Sequence, residues 1–105
     1  MAIKNFYEKT TKEFTGTITL DDSVADITSD TVTVYFLTKK EGTKKIEKDA
    51  DVSLGSGQYK VTLSKTDTAV IPDRYRYEIW WVRSSGKEYL LEWGNVDIYD
   101  SWVKS

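Results

Sequence analysis

The sequence predicts an all-β sandwich of six or seven antiparallel strands, and three observations carry that reading. Apolar and polar residues alternate with a period of two in several short runs. Turn signals built from Gly, Ser, Asp and Pro recur every 8–12 residues or so. No segment holds a helical period for more than about two turns. At 105 residues the chain is read as one domain over residues 1–105, with a single core and no repeat or linker.

Residues 3–7 hold Phe6 and Tyr7 as anchors and read as an edge strand. Phe14, Gly16, Ile18 and Leu20 then alternate with Thr15, Thr17 and Thr19, which gives a half-buried strand over residues 13–20. A turn at Asp21, Asp22 and Ser23 leads into a connection where Val24 and Ile27 are expected to plug the core. In residues 31–38, Val32, Val34 and Phe36 share one face, with Thr33, Tyr35 and Leu37 on the other. Residues 44–52 are apolar only at Ile46, Ala50 and Val52, so an exposed edge strand protected by lysines is expected. Tyr59, Val61 and Leu63 point inward from residues 58–63. Ser64 with Asp67 three residues on reads as a capping box around one helical turn, which Pro72 ends.

Residues 74–94 form the centre of the core. Two β-rich runs flank Ser84-Ser85-Gly86, where Gly86 suits the positive φ of a type I turn with a bulge. A three-residue loop pairs Trp81 with Tyr89, Ile79 with Leu91 and Tyr77 with Trp93 on one face. A two-residue loop would set Ile79 opposite Glu92 and Tyr77 opposite Gly94, so the first register is preferred. It places Ile79, Leu91, Val34, Val61 and Ile18 deep inside, with Trp81, Tyr77 and Trp93 also in the core. Strands are thus expected at 13–20, 31–38, 44–52, 58–63, 74–83 and 87–98. A sandwich of immunoglobulin type accommodates them best, and a small barrel is the alternative.

Composition narrows the chemistry. There is no cysteine, so no disulfide, thiol nucleophile or thiolate metal site, and an intracellular origin fits. There is no histidine, so the commonest general base and zinc ligand are missing. A net charge of −2 favours no nucleic-acid partner, no apolar run reaches membrane-spanning length, and the N-terminus opens no signal peptide.

Four clusters merit weighing. Glu78 and Glu92 fall opposite each other in the preferred register and could act as acid and base in glycoside hydrolysis; a solvated pair neutralised by Arg74 and Arg76 is favoured. Asp21, Asp22 and Asp26 could offer oxygen ligands to calcium, but ordinary turns use the same residues and no cofactor or metal is expected. Lys39, Lys40, Lys44, Lys45 and Lys48 make a basic patch that Glu41, Glu47 and Asp49 dilute. The aromatics are the better lead. Trp80 and Leu90 pair on the face a lone sandwich turns to water, and Tyr35, Tyr99 and Trp102 add rings beyond what one core face needs. Either the terminal segments cover this face or it is a partner surface, with Trp80, Leu90, Trp102 and Tyr35 as its candidate residues.

The order of several segments is similar to a known family. These are residues 14–20, 26–34, 57–59, 63–68, 74–79 and 89–98, which read FTGTITL, DITSDTVTV, GQY, LSKTDT, RYRYEI and YLLEWGNVDI. Together they resemble the immunoglobulin-like N-terminal domain of phage baseplate upper proteins and related tail or fibre components, over about residues 12–98. The chain departs from the pattern at Asp73, where a glycine precedes the tyrosine strand, and lacks the long partner-binding region that follows such a domain. The resemblance implies a non-enzymatic structural part in a phage or prophage virion, made in the bacterial cytoplasm and acting by contacts with other virion proteins or with itself. It carries over no catalytic residue. A carbohydrate-binding module that stacks sugars on surface tryptophans is the alternative, and a hydrolase built on Glu78 and Glu92 a third reading.

Overall fold

A computed structural model describes residues 3–20 and 22–101. Nine strands follow in order: β1 (Phe6–Tyr7), β2 (Lys12–Thr17), β3 (Thr19–Leu20), β4 (Ser23–Val24), β5 (Thr31–Thr38), β6 (Lys44–Asp49), β7 (Gln58–Leu63), β8 (Asp73–Val82) and β9 (Glu88–Tyr99). The six long ones match the six expected; the other three are two-residue pieces. The described residues contain no helix.

Five strands form one sheet in the order β1-β9-β8-β5-β6, and β2 pairs with β7 in a second. Phe14, Tyr59, Val61 and Leu63 of the small sheet bury against Val32, Val34 and Phe36 of β5 and Tyr75, Tyr77, Ile79 and Trp81 of β8. The sheets stay open, so the molecule is a sandwich and not a barrel. One expectation needs correcting: the sandwich is not wholly antiparallel, because β1 runs parallel to β9, Phe6 beside Ile98. A period-two pattern fixes which side chains share a face and says nothing of strand direction.

The strand order β9-β8-β5-β6 over β2-β7 is that of an immunoglobulin variable-type sandwich, strands G-F-C-C′ over B-E. Tyr75, at the start of β8, donates its hydroxyl to the Ile71 carbonyl, the tyrosine corner of such domains. Aromatic packing contributes to the core: the rings of Phe36 and Tyr77, paired across β5 and β8, meet edge-on at 6.4 Å.

Local departures have local causes. Residues 13–20 are not one strand; Ile18 links β2 to β3 and is buried, donating to Gly57 O at 2.9 Å and accepting from Ala25 N at 3.0 Å. Of the two expected plugs, Ile27 is buried but Val24 lies 56% exposed, because β4 folds back on β3 as a surface ribbon. The strand over 44–52 leaves the large sheet after Asp49. Ala50 N still bonds Val32 O, whereas Asp51 exchanges two bonds with Lys60 of β7, so the chain changes sheets there. Ser64 and Asp67 do form the capping box: Ser64 N donates to Asp67 Oδ2 and Asp67 N to Ser64 Oγ.

The β8–β9 hairpin turns as expected. Gly86 has φ of 95°, and Arg83 N bonds Lys87 O across three loop residues. Trp81 faces Tyr89, and Trp80 faces Leu90. Then the register shifts: Leu91 is an extra residue, and Ile79 faces Glu92, Glu78 faces Trp93 and Tyr77 faces Gly94. Both registers weighed from the sequence are therefore present, one on each side of a β-bulge.

Candidate functional site

The bulge decides what the outer face of the large sheet carries. Beyond it every side chain of β9 is on the opposite face from the one expected. Trp93, expected in the core, stands 55% exposed on the outer face. Leu91, expected to be deeply buried, is only partly so. Glu92 turns inward and accepts a hydrogen bond from the Tyr77 hydroxyl at 2.7 Å. Glu78 and Glu92 thus lie on opposite faces, and these two do not form the facing carboxylate pair expected of them.

The outer face is continuous from β5 to β9. Tyr35 and Leu37 come from β5, Trp80 and Val82 from β8, and Leu90 and Trp93 from β9. A shallow groove of about 300 Å³ runs between Tyr35, Leu37, Trp80 and Val82, with Lys44 and Glu88 among its charged lining. Tyr35 and Trp80 are half-buried in this surface, and Leu90 is 40% exposed. Of the four residues expected on a partner surface, the structure brings Tyr35, Trp80 and Leu90 together; Trp102 lies outside the described residues.

The charges of this face are held in place. Arg76 lies over the Trp93 ring at 4.2 Å and donates Nε to Glu78 Oε2 at 2.7 Å. Trp80 Nε1 donates to Glu78 Oε1 at 2.9 Å. The indole N–H of Trp80 and then Arg76 hold the Glu78 carboxyl below its ordinary pKa, against the opposing effect of partial burial. Lys44 sits over Tyr35 at 4.7 Å and pairs with Glu47 at 3.7 Å. Arg74, expected beside the glutamates, instead grips Asp97 at 2.7 and 3.1 Å. The arrangement can bind: it offers apolar rings among oriented charges.

Trp93 was missed as a member of this face, and Leu37, Val82 and Arg76 were not named among its candidate residues. A signal existed. Counted from the turn, odd-numbered Tyr89 is inward, yet the inward residues near the end of β9 are even-numbered Val96 and Ile98. That change of parity requires one extra residue between them, and Gly94, over which the Tyr77 ring packs, hints at it.

The inner side of the bulge opens a second cleft of about 270 Å³, lined by Gly16, Tyr59, Leu91 and Glu92 among others. Burial foremost, then the Glu92 charge, pushes the Tyr59 hydroxyl up to about 12. Folding therefore favours neutral Tyr59. That stability is complete below pH 10 and drains away as pH rises towards 12. Urea midpoints should fall across that window, less steeply in Tyr59→Phe; midpoints that stay level would contradict the burial.

Elsewhere Asp26 is engaged by Thr28, whose N and Oγ1 donate to Oδ1 at 3.2 and 2.8 Å; Asp21 lies outside the described residues. Lys48 of the basic patch pairs with Asp67 at 3.1 Å. Among the described residues no cluster of acidic side chains could hold a metal ion, and no helix is long and apolar enough to cross a membrane.

No family model matches this chain, and no curated protein does. Among solved structures it is similar to murine CRIg, at 9% identity over 94% of this chain and 91% of that one, with a TM-score of 0.42. The immunoglobulin-like assignment stands on the strand order and the Tyr75 corner.

Proposed function

We propose that this chain is a non-enzymatic structural module that assembles with other proteins through the outer face of its five-stranded sheet. The observation that carries the reading is the group Tyr35, Leu37, Trp80, Val82, Leu90 and Trp93, open on a face that a lone sandwich fills with polar side chains. Exposed aromatics beside a fixed arginine are the usual anchors of protein interfaces. The segment order shared with baseplate and fibre domains favours a virion as the setting, with tail, baseplate or fibre proteins as partners.

A sugar-binding module would use the same rings differently. It needs free ring faces for stacking, whereas Arg76 covers one face of Trp93 and Lys44 sits over Tyr35. Protein assembly is therefore the better reading.

The test is incorporation into particles. Phage particles induced from the source genome and purified by density should contain the chain by mass spectrometry. Trp93→Ala and Trp80→Ser should fold, with Trp93→Ala losing about 0.5–1 kcal/mol of cation–π contact, yet drop out of the particles. Absence of the wild-type chain from particles, or equal incorporation of both variants, would sink the proposal. Polysaccharide binding lost in Trp93→Ala would put the sugar reading in its place.

A further inference from the structure

The small sheet has an unprotected edge. Most strand edges among the described residues are short or broken: β3 and β4 are two residues each, and the outer edge of β9, which β1 covers only at Ile98 and Tyr99, is interrupted by the bulge at Leu91. The edge at β1 is two residues long, and β6 carries Lys44, Lys45 and Lys48 with a register shift against β5. On β7 the outer edge is engaged by Asp51, which exchanges two bonds with Lys60. β2 has six residues, no proline and no register shift against β7, and its Glu13 is tied to Lys60 at 3.0 Å.

The direction of its backbone groups follows from those bonds. Lys60 gives both its N–H and C=O to Asp51, away from β2. Its partner Thr15 is then a non-hydrogen-bonded position, whose own N–H and C=O point away from β7. Ile18 N, which bonds Gly57 O, gives the same phase. Glu13, Thr15 and Thr17 therefore direct a row of backbone donors and acceptors to the open edge, and all three side chains are exposed.

We infer that two copies of this chain associate along β2, antiparallel about a two-fold axis at Thr15, to make a continuous β7-β2-β2-β7 sheet. The strand is complementary to itself in that register. Thr15 meets Thr15 of the second copy, Glu13 meets Thr17, Phe14 meets Gly16 and Lys12 meets Ile18, so no like charges oppose. Main-chain bonds supply the attraction, as in strand addition to any open edge. This contact lies on the other sheet from the assembly face proposed above and does not depend on it.

The experiment is a charge swap at the axis, read by sedimentation equilibrium of the purified chain. Wild type should sediment as a dimer. Thr15→Lys and Thr15→Glu each set two like charges directly opposite and should each weaken the dimer by roughly tenfold or more. Mixing the two variants should restore it. Near-ultraviolet circular dichroism of the tryptophans should be unchanged, since Thr15 is exposed. A monomeric wild type up to about 1 mM, or a dimer that neither substitution weakens, overturns the inference. A dimer that Trp93→Ala dissolves and Thr15→Lys does not would place self-association on the aromatic face instead.

Discussion

Ile79→Ala is expected to remove about 2–5 kcal/mol of stability, the transfer cost of the lost atoms plus the cavity they leave. Ile79 is fully buried at the middle of β8, the strand with β5 on one side and β9 on the other. Its neighbours are held by ladders on both sides, so the backbone has little freedom to collapse into the void. Leu91→Ala makes the contrast. From the sequence the two residues look equivalent, paired across the hairpin, but Leu91 is the bulge residue and only partly buried. About 1 kcal/mol is expected there. Urea unfolding of both variants checks the pair of values. Equal losses would mean that the bulge is absent and that Leu91 faces Ile79 after all.

Asp30→Ala should be comparably damaging for a different reason. The Asp30 side chain is almost fully buried, accepting from Trp81 Nε1 and from Ser84 N, each at 2.9 Å, with Arg83 Nε at 3.6 Å. These bonds tie the connection before β5 to the loop of the central hairpin. Alanine removes the acceptor for both N–H groups and leaves that of buried Trp81 without its partner, which costs about 1–3 kcal/mol. Asp30→Asn keeps one acceptor oxygen and should lose less. The near-ultraviolet signal of Trp81 should weaken in Asp30→Ala before global unfolding, because its ring would lose its fixed orientation. A loss under about 0.5 kcal/mol would mean that water replaces the carboxylate and that the link is not structural.

The two effects differ in how readable they were. Ile79 stands at the centre of an alternating run, and alternation alone marks it as buried. Asp30 lies in a stretch of Asp, Thr and Ser that reads as an ordinary turn. Nothing local distinguishes it from Asp26, whose carboxylate serves only its own turn at Thr28. What makes Asp30 different is a tryptophan 51 residues away.

The same division holds for the candidate site. Trp80, Leu90 and Tyr35 could be placed on the outer face because each sits in a segment whose partners are near in sequence or whose alternation is unbroken. Trp93 could not, since its side depends on one extra residue in β9. A bulge costs little locally and reverses every side chain beyond it.

From the sequence alone follow the all-β class, the six long strands, the inward faces of β5, β7 and β8, the three-residue loop at Gly86 and the capping box at Ser64. Each rests on contacts within a few residues or on the period-two geometry of one strand, and these act before the chain has found its distant partners. The parallel seat of β1 beside β9, the crossing of the chain between sheets at Asp51, the burial of Asp30 against Trp81 and the exposure of Trp93 were left to the tertiary structure. They turn on which strand edge a segment reaches and which layer closes over it. That choice is made by the summed packing of residues far apart in sequence, and no local pattern of alternation contains it.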